Sequence, residues 1–374
     1  MRLADICEIN PKADLISDEM AVSFVAMQDV SEDGKINTAT VRPYQEVKKG
    51  FTFFREGDVL FAKITPCMEN GKGALAVGLE NGIGCGSTEL YVLRPKSDVI
   101  NGAWLYYLTA WPVFRVEAER NMTGSAGQKR VPKMFLEKYE VNVPSLDAQK
   151  HQVDLLNCVR DIIDLRRKQL AELDDLIKAR FVEMFDRKYN TVLLGDVIKT
   201  TSGGTPSKSH SEYYEGGTIP WLTSGEVNAG VITSVENNIT EQGMRNSSAK
   251  MVPENSVVIA MYGATAGVTG LLRVATTTNQ AVCSLLPNDR FIPEYLYYAV
   301  ASKKEWMISQ CKGGGQPNIS QGIIKSLELI AAPMEAQEKF TKIVEQVDKS
   351  KLAVQKALDE AQLLFDSLMQ KYFG

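Results

Sequence analysis

The chain has 374 residues, 44% of them hydrophobic and 24% charged, with a formal net charge of −4. This composition excludes a disordered polyelectrolyte, and the length holds two or three domains. Any nucleic-acid-binding face must come from local clustering, because the region before residue 146 (17 basic, 19 acidic) and residues 191–333 (10 basic, 11 acidic) both lack a basic excess.

Residues 1–15 have no apolar core for a signal peptide, and no apolar run is long enough to cross a membrane. Six cysteines are scattered without close pairing, which suits a reducing compartment and offers no zinc spacing. The expectation is a cytoplasmic protein with no membrane role. Two histidines, His151 and His210, leave no basis for a His-based metal centre.

Residues 1–145 read as a mixed α/β domain. Short β-type runs at 23–26, 58–62 and 89–93 are separated by Gly, Asn and Pro. A helical patch at 103–108 follows, then a Gly- and Lys-rich loop at 123–130. Pro144 forces extended backbone before it, and Ser145 is a candidate N-cap.

Residues 146–190 then form a long helix and its exit. Positions at alternating four- and three-residue steps are Gln152, Leu156, Val159, Ile163, Arg166, Leu170, Leu173, Ile177 and Arg180, a heptad seam between charged residues. Adding 188 to each number returns the stripe at the C-terminus, with Phe340, Val344, Val347, Lys351, Val354, Leu358, Ala361, Phe365 and Leu368. The residues expected to pair the helices are the aliphatic members of the first stripe with Val344, Val347, Val354, Leu358, Phe365 and Leu368 of the second. About forty residues at ~1.5 Å each gives a rod of roughly 60 Å.

Residues 191–333 repeat the first domain, and residues 334–374 repeat its helix. Leu3-Ala4-Asp5-Ile6 matches Leu194-Gly195-Asp196-Val197, and the stretch 56–62 matches 254–260. Stretches 89–95 and 104–107 match 281–287 and 295–298, and Gly127-Gln128 matches Gly315-Gln316. Pro144 to Gln149 matches Pro333 to Gln337 with one residue fewer. The chain is therefore domain–helix–domain–helix. The simplest pairing of two such helices in one chain is antiparallel, with an approximate two-fold axis and a domain at each end.

Catalytic signatures fail. Gly71-Lys72 has Pro66 where a phosphate-binding loop needs its first glycine, and no G-x-S-x-G elbow occurs. The reading assigns no catalytic residue and no metal ligand. Several loops instead combine glycines with Lys, Arg, Gln or Asn, the groups that approach phosphates and read base edges. In the first domain these give Lys63, Lys72, Gln128, Lys129, Arg130 and Lys133 as candidate contacts. In the second they give Thr205, Lys208, Arg273, Lys312, Gln316 and Asn318. Such a face should gather Lys129, Arg130 and Lys133 with Lys63 or Lys72, and Lys208 with Arg273 or Lys312. Packing, rather than base contact, is expected of Tyr213, Tyr214 and Trp221.

The duplicated unit, its Leu-x-Asp-[Ile/Val] opening, the Ser-Gly-Gly-Thr-Pro-Ser loop at 202–207, Ile219-Pro220-Trp221, and the Gln ahead of each heptad helix resemble the specificity subunits of type I restriction–modification systems. The likeness runs end to end. It implies an α+β fold in which two similar mixed α/β target-recognition domains are separated by a long antiparallel two-helix coiled coil. It also implies a non-catalytic chain that reads a split sequence in double-stranded DNA. Two modification (methyltransferase) subunits and restriction/translocase subunits would be its partners. S-adenosylmethionine, ATP and Mg2+ are then expected on those subunits, and no cofactor on this one. The competing reading is a bivalent scaffold that binds protein or carbohydrate.

Overall fold

The computed structural model describes residues 1–13, 15–125, 127–311 and 317–374. Two 40-residue helices, α6 (Leu146–Phe185) and α12 (Met334–Phe373), run through both of its compact units. The first unit comprises Met1–Arg167 and Lys356–Gly374, the second Lys168–Gln355.

The first unit opens with α1 (Leu3–Ile6), β1 (Cys7–Ile9), β2 (Ala21–Val25), β3 (Val41–Pro43), α2 (Tyr44–Val47) and β4 (Thr52–Arg55). It continues with β5 (Val59–Ala62), β6 (Gly73–Leu75), β7 (Ile83–Gly86) and β8 (Leu90–Pro95). The helices α3 (Gly102–Ala110), α4 (Pro112–Arg120) and α5 (Lys133–Lys138) follow. One sheet has the order β1-β8-β5-β6 and the other β3-β2-β7-β4. All four residues of β5 are buried. Val59 and Phe61 join the core under α3, while Leu60 and Ala62 join a second core with Val25 and Phe54. Alternate side chains point to opposite faces, so a strand covered on both reads as a continuous apolar run.

The second unit holds β9 (Thr191–Leu193), α7 (Leu194–Val197), β10 (Thr200–Ser202), β11 (Ile219–Leu222), β12 (Val231–Ile232), β13 (Asn238–Ile239), α8 (Glu241–Arg245) and β14 (Met251–Val252). Then come β15 (Val257–Ala260), β16 (Thr269–Leu272), β17 (Thr276–Thr278), β18 (Val282–Leu285), α9 (Pro293–Ala301), α10 (Lys304–Ser309), α11 (Gln321–Lys325) and β19 (Glu328–Ile330). Its sheets are β10-β18-β15-β16-β12, β13-β11-β17-β14 and β19-β9. The repeat extends to strand direction. In the first unit β2 and β7 are parallel, each flanked by an antiparallel partner. In the second, β11 and β17 are parallel and flanked in the same way.

Within each unit the long helices pack antiparallel, because early α6 meets late α12 and late α6 meets early α12. In the first unit Leu156, Val159 and Ile163 share a core with Leu358, Ala361, Phe365, Leu368 and Met369. In the second, Leu173, Ile177, Phe181 and Phe185 pack with Phe340, Val344 and Val347. Leu170 is half-buried and Val354 buried. The seam departs from the expected register at one end: Arg180 is exposed and paired with Glu183, and Phe181 is buried instead. A helix of 3.6 residues per turn drifts against a 3.5-residue stripe, and here it brings two phenylalanines rather than an arginine inward.

Candidate nucleic-acid interface

The segment after β5 is strand-paired with the segment before α5. Val131 N–H donates to Lys63 O (2.9 Å) and Thr65 N–H to Lys129 O (3.0 Å), around an isolated bridge between Ile64 and Arg130. This pairing joins Lys63, Gln128, Lys129 and Arg130 on one pair of strands. Gln128 and Lys129 are exposed, and among the described residues neither side chain has an ion-pair or hydrogen-bond partner. The Lys63 ammonium sits 5.1 Å from the centre of the Tyr91 ring, a cation–π contact that steadies it without removing its charge.

The other three candidates of the first unit are engaged. Arg130 grips Glu89 with two charge-assisted bonds, Nε to Oε2 at 2.9 Å and Nη2 to Oε1 at 2.8 Å. Its hydrogen bonds are the main reason that the Glu89 carboxyl lies below the usual carboxylate range. Lys72 donates to the Met27 carbonyl at 2.9 Å, and Lys133 pairs with Glu137 at 3.1 Å. Backbone pairing thus brings Lys129 and Arg130 beside Lys63, one of the two lysines expected with them, while the Lys72 ammonium is turned to Met27.

The same backbone arrangement recurs in the second unit. Ile319 N–H donates to Met261 O (2.8 Å) and Gly263 N–H to Pro317 O (3.3 Å), around a bridge between Tyr262 and Asn318. Tyr262, 40% exposed, occupies the place of Ile64, and exposed Asn318 that of Arg130. Tyr262 is not among the residues expected from sequence; aligning the repeat by its bridges singles it out. Lys312 and Gln316 lie outside the described residues. Thr205 is hydrogen-bonded to Gln280, and Lys208 is exposed.

Lys208 is expected beside Arg273 or Lys312, and Lys312 lies outside the described residues; the strands that precede Lys208 and Arg273, β10 and β16, lie on opposite sides of the central strand β15. Arg273 is held instead by Glu294 of α9 and by Asn255. The glycines of the 202–207 loop serve packing. A Cβ on Gly203 would stand 1.7 Å from the Thr278 carbonyl oxygen, so the chain approaches β17 more closely than any side chain allows. Trp221, 8% exposed, donates its indole N–H to Gly204 O at 3.0 Å, as packing requires.

Among the described residues no group of His, Cys, Asp or Glu side chains could hold a metal ion, and no helix is long and apolar enough to cross a membrane. The first edge offers exposed Lys129 and Gln128 beside Lys63, and the equivalent edge of the second unit offers exposed Asn318 and Tyr262.

Residues 1–175 and 186–361 each match the family model described as the type I restriction modification DNA specificity domain. The chain belongs to this family. The type I restriction enzyme EcoAI specificity subunit of Escherichia coli is 43% identical over 224 residues, 53% of this chain and 38% of that protein. The EcoEI specificity subunit of the same species is 40% identical over 175 residues, 46% of this chain and 29% of that one. The matches thus span well under half the length of these two relatives. A structure concerned with complex assembly and conformational transition of the type I R-M system has a TM-score of 0.65 at 19% identity, covering 100% of this chain and 96% of its own. The type I S subunit from M. genitalium gives 0.55 at 15%, covering 100% and 95%. At such identities the likeness is one of fold. The specificity-domain fold is present twice, and its two copies carry the two paired-loop edges described above.

Proposed function

We propose that this chain is the sequence-specific DNA-recognition subunit of a type I restriction–modification enzyme, each globular repeat reading one half of a bipartite target in double-stranded DNA. The observation that carries this reading is the duplicated loop edge. The 63–65 segment paired with 129–131, and 261–263 paired with 317–319, share one backbone frame but present different side chains. A shared frame sets equivalent approaches to a duplex, and different side chains give each half-site its own base preference.

The chain has no catalytic role in this reading. Two modification subunits, with S-adenosylmethionine, would dock on the long helices, and restriction/translocase subunits with ATP and Mg2+ would join them. Exposed aliphatic residues outside the helix seam support such docking: Ile162, Leu165, Leu363 and Leu364 in the first unit, and Leu176, Val182 and Leu352 in the second. Lone exposed apolar residues are ordinary, but several along one helix pair suit a protein partner. The test is to co-express the chain with its modification subunit and map methylated bases genome-wide. Two short defined motifs at fixed spacing are expected; methylation without a bipartite motif would overturn the reading.

A further inference from the structure

Arg115, on α4, is 7% exposed and has no carboxylate partner among the described residues. Its Nε donates to Thr109 O at the end of α3 (2.6 Å), and its Nη1 donates to Met68 O (3.0 Å) and Lys72 O (3.1 Å). The guanidinium lies 4.5 Å from the Phe61 ring centre, and its Nη2 is buried without a partner among the described residues. Nη2 lies close over Gly73, where a Cβ would stand 2.8 Å from Leu60 O and 2.9 Å from Nη2.

We propose that Arg115 is a positioning residue for DNA recognition by the first unit, holding the 63–72 loop in register with residues 129–131; this rests on the function proposed above. One guanidinium fixes carbonyls at two points of the loop to the end of a core helix. The loop's opening residues, Ile64 and Thr65, are the ones paired with Lys129 and Arg130. A slip at Met68 or Lys72 therefore moves the edge that carries Lys63, Gln128 and Lys129. An apolar side chain would fill the same space at a lower desolvation cost but would leave the Met68 and Lys72 carbonyls only their backbone donors, Gly71 N–H and Ala62 N–H, with no tie to α3 and α4. Burial pushes the guanidinium down to about 10, so it remains charged at neutral pH.

Among the described residues the second unit has no such arginine. Nine residues (63–71) separate the hydrogen-bonded Ala62 and Lys72, but only seven (261–267) separate Ala260 and Val268. The shorter loop closes on itself through Ala266 N–H to Gly263 O (3.1 Å) and Val268 N–H to Thr265 O (3.0 Å). Its neighbouring helix, α10, contains no arginine. The second half-site is thus an internal control.

Arg115→Met and Arg115→Lys would be made in the full chain, assembled with its modification subunits, and bound to duplex libraries randomised at one half-site at a time. Circular dichroism would fix a temperature at which each variant is folded. In Arg115→Met, discrimination against single-base mismatches should fall about tenfold at the first unit's half-site and stay within about twofold at the other. Arg115→Lys should lie between, keeping the charge but losing the fork that spans two carbonyls. A folded Arg115→Met that keeps full discrimination, or loses it equally at both half-sites, overturns the proposal. Should Arg115→Met fail to fold, Arg115→Lys decides by the same comparison. A wild-type complex without preference at either half-site would instead bring down the recognition function, a result visible without any variant.

Discussion

Gln149 and Gln337 are structural equivalents that latch each long helix to its globular part through the same three hydrogen bonds. Gln149 Oε1 accepts from Asn101 N–H (2.7 Å), and its Nε2 donates to Val99 O (3.0 Å) and Pro144 O (2.9 Å). Gln337 Oε1 accepts from Ile292 N–H (2.9 Å), and its Nε2 donates to Arg290 O (3.0 Å) and Ala332 O (2.9 Å). The two side chains are 0% and 1% exposed. A primary amide is the neutral group that offers both an acceptor and two donors at this reach.

Replacing either glutamine by leucine should destabilise its own unit by about 3 kcal/mol, because three buried backbone groups lose their partners. Gln149→Glu should cost a similar amount at neutral pH, with an anion facing two carbonyls. Burial and those carbonyls raise that carboxyl's pKa, so protonation stabilises the folded form and stability should recover as pH falls. Chemical denaturation at neutral and mildly acidic pH reads both effects. A Gln149→Glu variant that weakens further as pH falls would sink the latch assignment.

Lys63 and Lys129 should act on phosphates without choosing bases. Alanine at either position should weaken binding to all duplex sequences alike and lower the salt slope by about 1. Titrations at several salt concentrations measure this. A change confined to particular base substitutions would instead make the residue a base reader.

The Glu89–Arg130 pair gives a pH signature. Glu89 normally titrates near 4.5, and Arg130's hydrogen bonds lower that value in the folded chain. Its stabilising contribution is therefore present above about 4.5 and is lost as pH falls through the lowered folded value. In Arg130→Met the Glu89 carboxyl should titrate nearer 4.5, followed by carbon NMR. The same titration curve in both proteins would show that the pair does not control Glu89.

The helix seam can be tested at the residue where its register shifts. Phe340 is fully buried, with ring centres 5.4 Å from Phe181, 5.6 Å from Phe185 and 5.5 Å from Tyr298. Phe340→Ala or Phe181→Ala should each cost about 3–5 kcal/mol. Arg180→Ala, at the heptad position beside Phe181, should stay within about 0.5 kcal/mol. Comparable losses at Arg180 and Phe181 in urea melts would restore the unshifted register.

Sequence alone determined the elements whose signal is local and periodic. The limits of α6 and α12 follow from the stripe that begins after Ser145, which caps through Ala148 N–H at 3.4 Å, and from its recurrence 188 residues on. The repeat was legible because β5 and β15 bury all four of their residues, and α3 and α9 both bury the first aromatic–leucine pair, Trp104-Leu105 and Tyr295-Leu296, so similar residue types are kept. Side-chain partners were not legible, because they depend on residues far apart in the chain. Arg130 reads as a free cation until folding brings Glu89 to it, 41 residues away. Gly203 reads as a phosphate-loop glycine until Thr278 lies against it. Nothing in the sequence singles out Arg115, and only the tertiary structure puts its guanidinium against the Met68 and Lys72 carbonyls. Periodicity records which face is buried; it carries no record of what that face will meet.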